Sequence, residues 1–238
     1  MKISSATSIG KVRSLNEDSF FVSDVCAADT VLAIVADGMG GHNAGEVASA
    51  EAVNAIKESD FCTDKDVKTV LSDAIACANN AIYKMSTKNP KLHGMGTTAT
   101  ACIIKGNKVT AAHVGDSRLY LIRNGEMTQI TKDHSLVEML IENGTITKED
   151  AKNHPQKNVI TKALGTDSSV ECDIYEFNAE ADDIILLCTD GLVNMADDEK
   201  ILSLITDSKD FEGLADKLVK EAESAGGFDN ITVVLIKF

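Results

Sequence analysis

Apolar runs that end in an aspartate constrain this chain more than any other feature. Val31 to Ala36 is six apolar residues without a break, followed by Asp37-Gly38-Met39-Gly40-Gly41. A short continuous apolar run bounded by glycines reads as a strand buried on both faces. The pattern recurs at Asp183-Ile-Ile-Leu-Leu-Cys-Thr-Asp190-Gly191, and Val109 to Val114 leads into Gly115-Asp116. Asp229 stands just before the last run, Ile231 to Ile236. Asp37, Asp116, Asp190 and Asp229 thus sit at the ends of four apolar strands, and we read them as one site.

Such a site has a cost. Two carboxylates about 4 Å apart repel by about 4 kcal/mol at an effective dielectric of about 20. Three or four together require a shared proton or a multivalent cation between them. An all-oxygen set points to magnesium, manganese or calcium rather than zinc. The bland alternative makes each aspartate a separate turn residue, since Asp-Gly is a common turn pair. Two units of apolar run plus Asp-Gly, with two further strand-end aspartates, favour the metal site.

The chain has 238 residues, enough for one domain with a sizeable core, and 44% of them are apolar. Its net charge of −14 argues against a nucleic-acid backbone or an anionic membrane as partner. No run is long enough to span a membrane, and the N-terminus lacks the apolar core of an export signal. The expectation is a cytoplasmic monomer. Cys26, Cys62, Cys77, Cys102, Cys172 and Cys188 form no C-x-x-C pair, so no disulfide framework is implied. Cys77, Cys102 and Cys188 lie in apolar patterns and read as small core residues.

Taken in order, Ile3 to Ile9 is an opening strand, followed by the polar turn Gly10 to Asp18. Arg13 within it has two readings: a surface partner of Glu17 or Asp18, or a planar fork that grips phosphate. A helix runs from Gly45 to about Glu58, its apolar face carrying Val47, Ala50, Val53 and Ile56. A second is capped by Thr63, with Asp66 three residues on, and ends at Asn89-Pro90. Thr97–Ile104, Val109–Val114, Arg118–Arg123 and Glu126–Ile130 read as strands, the last two joined by Asn124-Gly125, a strong hairpin signal. This is an antiparallel meander, not a doubly wound parallel sheet. His113, mid-strand, reads as a satisfied core histidine. Residues 136–157 are polar and interrupted, either a flap beside the site or a plain surface excursion. The tail reads as strand, strand, a helix from Asp197, a helix capped by Asp210, and a final strand. With no repeat or linker, residues 1–238 make one domain of sheets covered by helices.

Several common sites are absent. There is no G-x-x-x-x-G-K-S/T loop, no complete G-x-G-x-x-G or G-x-S-x-G, and no cysteine followed six positions later by arginine. The ordered set that remains is Arg13-x-x-Asn16-Glu17-Asp18, Asp37-Gly-Met-Gly-Gly-His42, Gly96-Thr-Thr98, Gly115-Asp-Ser-Arg118, Asp133-His-Ser135, Asn158 to Gly165, Asp190-Gly191 and Gly227-Phe-Asp229-Asn230. Across nearly the whole chain this resembles the metal-dependent serine/threonine protein phosphatases of the PPM, or type-2C, family, bacterial branch. The resemblance implies an α+β fold, a four-layer α-β-β-α sandwich with two antiparallel central sheets flanked by helices. It implies two manganese or magnesium ions, held by Asp37 as bridge, the Gly38 carbonyl, Asp190 and Asp229. Asp116 with Asp190 would hold a third, weaker ion, and Glu17 and Asp18 metal-bound waters. Arg13 would bind phosphate. Two close ions lower the pKa of a water between them, and the hydroxide attacks phosphorus in line without a phosphoenzyme. Phosphoproteins, the products of a serine/threonine kinase, would be the substrates.

One position departs from the family pattern. Many eukaryotic members carry a histidine, proposed as general acid, where this chain has Met39. His42 nearby is a candidate, although support of the loop is the simpler role, and a metal-bound water is another proton donor. Two alternatives to a general phosphoprotein phosphatase are a non-catalytic relative acting as a regulatory module and a dedicated phosphatase for one small regulatory protein. The first would be expected to lack metal acids, and none is missing here.

Overall fold

The computed structural model describes residues 1–25, 29–40, 44–62 and 65–238. Its strands are β1 (Lys2–Ser8), β2 (Asp18–Val22), β3 (Thr30–Met39), β4 (Gly96–Thr97), β5 (Ala99–Lys105), β6 (Lys108–Val114), β7 (Arg118–Arg123), β8 (Glu126–Gln129), β9 (Asp173–Asn178), β10 (Ile184–Cys188) and β11 (Ile231–Lys237). Its helices are α1 (Gly45–Lys57), α2 (Val67–Lys88), α3 (Leu136–Glu142), α4 (Lys148–Lys152), α5 (Asp190–Val193), α6 (Asp198–Asp207) and α7 (Leu214–Ser224).

Two sheets form, ordered β1-β11-β10-β7-β8 and β2-β3-β5-β6-β9, with β4 paired to β3. Every pairing is antiparallel. The period-2 alternation of side chains explains the unbroken apolar runs. Val31, Ala33 and Val35 of β3 face a core shared with Ile185 and Leu187 of β10 and with Val234 and Ile236 of β11. The intervening Leu32, Ile34 and Ala36 face α1 and α2. On the other sheet Leu186, Cys188, Val233 and Leu235 face α6 and α7. Both faces of both sheets are covered, which is the expected four-layer α-β-β-α sandwich. The meander is present as read, and the Asn124-Gly125 hairpin joins β7 to β8 with both residues at positive φ, 53° and 77°.

Some details differ from the sequence reading. The cap of α2 is Asp66, whose carboxylate accepts from Thr69 N at 3.4 Å, while Thr63 lies outside the described residues. The buried face of α1 is Gly45, Ala48, Ser49, Ala52, Val53 and Ile56 rather than one through Ala50, because small residues let the helix lie close on β3. Helix α7 begins at Leu214; Asp210 closes the preceding turn through Gly213 N at 3.1 Å. Cys102 and Cys188 are buried, but Cys77 is exposed on α2. Cys62 is disulfide-bonded, which its spacing did not foretell. Among the described residues no helix is long and apolar enough to cross a membrane.

Candidate metal centre

Asp37 stands at the end of β3, paired across the ladder with Asp18 of β2. Its backbone is fixed by its own N–H to Thr98 Oγ1 at 2.8 Å and by Thr97 Oγ1 and Thr98 N donating to its carbonyl at 2.8 and 2.9 Å. The chain interrupts the β4–β5 strand at Thr98 to make these bonds. Thr98 in turn shares a hydrogen bond of 2.8 Å with buried Ser117, directly after Asp116. A Cβ on Gly38 would lie 2.1 Å from Gly45 O and 2.5 Å from Glu17 O, so only glycine fits between those backbones.

Asp190 opens α5 at the end of β10, and a Cβ on Gly191 would lie 1.9 Å from Asn230 O. Asn230 is a residue whose role went unread in the sequence. Its Nδ2 donates to Ile9 O and Leu15 O at 3.0 and 2.9 Å, and its Oδ1 accepts from Glu17 N at 2.8 Å. One side chain therefore staples the Arg13–Glu17 turn to the Asp229 loop. Asn-Gly or Asp-Gly turns advertise themselves by type; a staple between distant loops leaves no local pattern.

Arg13, Glu17, Asp37, Gly38, Asp116, Asp190 and Asp229 line a single cavity of about 240 Å³. Strand-end aspartates from both sheets thus meet as expected. His42 lies outside the described residues. Met39 lines the same cavity and cannot donate a proton there. His113 is buried between Thr100 Oγ1 at 2.9 Å and Lys132 O at 3.0 Å, a satisfied core histidine whose pKa burial pushes down to about 3.

The electrostatics are those of crowded acids. Asp37 is held well above the usual carboxylate range by burial and then by the charges of Asp18, Asp190, Asp116 and Asp229. Burial, followed by the charges of Asp190 and Asp133, pushes Asp116 up to about 8. Burial pushes Asp18 up to about 7, although Thr232 and Thr189 donate to its Oδ2 at 2.7 and 2.8 Å. Burial and then Asp229 raise Asp190, against a hydrogen bond with Asp37. Glu17 is raised by burial. Arg13 Nη2 lies 2.9 Å from Asp229 Oδ2 and Nη1 3.9 Å from Glu17 Oε2. Arg13 therefore has Asp229 as its close acidic partner, with the expected Glu17 further off, and it lines the cavity.

Among the described residues no three acids converge tightly on one point. Asp37 and Asp190 share a hydrogen bond and Asp229 leans on Arg13, the two remaining ways of quieting packed carboxylates. The donor set nevertheless suits hard divalent cations: it is all oxygen, it lines one cavity, and Asp18 Oδ1 is buried without a partner.

Comparison with known proteins agrees. The family model for Protein phosphatase 2C matches residues 7–226. The chain belongs to this family. It is 40% identical to the serine/threonine phosphatase stp of Listeria innocua over 97% of this chain and 93% of that one. It is 43% identical to the serine/threonine protein phosphatase PstP of Mycobacterium tuberculosis, covering 95% of this chain and 43% of that longer one. A crystal structure of the M. tuberculosis phosphatase PstP superposes with a TM-score of 0.90 at 39% identity, covering 98% of this chain and 97% of that one. A structure of a PstP catalytic domain in complex with two manganese ions gives 0.88, also at 39% identity, covering 98% and 96%. The type-2C reading of the motifs and the sandwich inferred from it both hold.

Proposed function

We infer that this chain is a serine/threonine protein phosphatase that hydrolyses phosphoserine and phosphothreonine in proteins with manganese or magnesium. The observation that carries this is the meeting of Asp37, Asp116, Asp190 and Asp229 beside Arg13 in one cavity. Asp37, Asp190, Asp229 and the Gly38 carbonyl would hold two ions, with Asp116 and Asp190 offering a third place. When bound, such cations supply a water of lowered pKa and positive charge against the phosphoryl oxygens.

The chain's own residues do the remainder. Glu17 and Asp18 accept hydrogen bonds at the edge of the set, and Thr189 and Thr232 fix the Asp18 carboxyl. Arg13 presents a fork whose link to Asp229 is half-exposed and exchangeable, and phosphate is its natural competitor. Catalysis is then positioning and electrostatics, with no side-chain nucleophile.

Residues 1–238 act as one catalytic domain, and 136–157 as a flap. Supporting the flap, its two ends are clasped by Leu136 N to Val159 O at 2.8 Å and Thr161 N to His134 O at 2.7 Å. Asn158 and Ile160, at the exit of the flap, line the acidic cavity. The reading extends to a cytoplasmic monomer that opposes a serine/threonine kinase, in keeping with the net charge of −14.

The test is hydrolysis of p-nitrophenyl phosphate and of a phosphothreonine peptide with manganese or magnesium, before and after chelation. Chelator-sensitive turnover is expected. No turnover with any divalent ion would refute the assignment.

A further inference from the structure

Exposed apolar residues are concentrated on the two loops that bring Arg13 and Asp229 to the acidic cavity. Large hydrophobics scattered singly over a surface need no explanation, but a cluster does. Among the described residues eight large hydrophobics are exposed, and four of them, Ile9, Val12, Leu15 and Phe228, stand on the two loops that carry Arg13 and Asp229. Val12 and Phe228 are the most open, each at 62%. A fifth, Val159, lies in the chain between Asn158 and Ile160, which also line the cavity.

These loops are fixed with respect to each other. Lys11 N donates to Gly227 O at 2.8 Å, and Asn230 ties down the carbonyls of Ile9 and Leu15. Phe228 is aimed outward by its backbone: Gly226 and Gly227 have φ of +146° and +58°, and a Cβ on Gly226 would lie 2.7 Å from the Phe228 ring. The ring rests one side on bare glycine and offers the other to solvent. A large apolar group held rigidly in water is a recognition element in waiting, because little ordering remains to be done on binding.

The occupant follows from what must enter the cavity. Resting on the phosphatase reading, we propose that Val12 and Phe228 select substrates, binding a bulky apolar side chain next to the phosphorylated residue. A phosphoresidue gripped beside Arg13 places its chain neighbours over these loops, since an extended polypeptide advances about 3.3 Å per residue. The net charge of −14 repels acidic flanks, and the side chains that Val12 and Phe228 expose next to Arg13 and Asp229 are apolar, so the contact these two positions offer a flanking residue is apolar. The pair are specificity residues and take no part in hydrolysis.

The experiment compares two phosphothreonine peptides that differ only in flanking residues, leucine and phenylalanine in one, serine and glycine in the other, with the manganese-loaded chain. KM for the apolar peptide is expected to be about tenfold lower. Phe228→Ser and Val12→Ser should each raise KM for that peptide towards the polar one. Turnover of p-nitrophenyl phosphate should stay as in the parent, and Phe228→Leu should keep the preference. Equal KM values for the two peptides with the parent chain would overturn the inference, as would variants that slow every substrate by one factor. The parent comparison needs no variant, so it decides even where a substitution prevents folding. A parent chain inert towards p-nitrophenyl phosphate with every divalent cation would instead overturn the phosphatase reading and this inference with it.

Discussion

Removing divalent cations and then raising the pH from about 5 to about 8 should weaken this fold, the reverse of ordinary acid sensitivity. Asp18 ionises near 3.8 in an unfolded chain but near about 7 here. The folded carboxyl therefore holds a proton that the unfolded one has released, and stability falls as pH rises between those two values. At 1.36 kcal/mol per pH unit the full loss for Asp18 alone is about 4 kcal/mol, of which about 3 kcal/mol falls between pH 5 and 8. Asp116, pushed up to about 8, adds to the loss in the same window. For a chain of this size about 3 kcal/mol corresponds to about 5–10 °C in Tm. Glu176 at about 2 and Asp183, both lowered, complete their change below this window. Buried His113, pushed from 6.5 down to about 3, and His134, also lowered, act the other way; His113 returns about 2 kcal/mol between pH 5 and 7, which the loss from Asp116 offsets. The assay is thermal unfolding in chelator at the two pH values, repeated with manganese. Manganese should stabilise much more at the higher pH, where the acids compete least with protons. Asp37→Asn separates the cluster from the overall charge of −14: without metal it should melt above the parent at the higher pH and with it at the lower. A chelated parent whose Tm stays flat or rises with pH, or an Asn variant that melts with the parent at the higher pH, would refute the reasoning.

Three other outcomes are expected. Asp37→Asn and Asp190→Asn should each lower kcat with manganese by at least about a hundredfold, measured on p-nitrophenyl phosphate, while remaining folded by circular dichroism. Arg13→Ala should raise KM for a phosphopeptide by about tenfold with kcat largely kept, because its contact with the site is half-exposed and bears on the phosphate; unaltered kinetics would remove it from the site. Arg118→Met should cost about 3 kcal/mol, read by urea unfolding, because it strands the largely buried Asp133 carboxylate now held by Arg118 Nε and Nη2 at 2.7–3.0 Å; Arg118→Met with Asp133→Leu should recover most of the loss.

Much of the site was legible because each acid terminates a run whose burial is written in consecutive apolar letters. The run Val31 to Ala36 announces a strand covered on both faces, and a strand covered on both faces presents its end at a fixed place. Arg13 was ambiguous in the sequence because a turn arginine near Glu17 looks the same whether it faces solvent or a cavity. Asn230, Thr98 and Ser117 were invisible as supports, since a hydrogen bond spanning 61 positions, as from Asp37 to Thr98, has no periodicity. Cys77 misled because its neighbours Ala74, Ile75 and Ala78 are buried, while its own position on α2 turns outward. Helix α7 began later than Asp210 suggested because that carboxylate serves Gly213 in a turn instead of the helix itself.

The arrangement of supports explains how mutual repulsion is borne. The four aspartates belong to different strand ends, and of the four only Asp229, through Arg13, has an ion pair among the described residues. Asp37 is moored through its backbone to Thr97 and Thr98, Gly38 is wedged between Gly45 and Glu17, and Gly191 abuts Asn230. The cores that hold these backbones, between the sheets and under each helix pair, consist chiefly of buried aliphatic residues with no stake in protonation. Close packing of this kind resists displacement, so the carboxylates cannot relieve their repulsion by drifting apart. They relieve it by taking up protons, by leaning on Arg13, or by gathering cations, and on the proposed function only the last frees Arg13 for a phosphate. On that proposal, metal affinity and phosphate recognition are two consequences of one constraint: the rigid sandwich keeps negative charge where it would not otherwise stay.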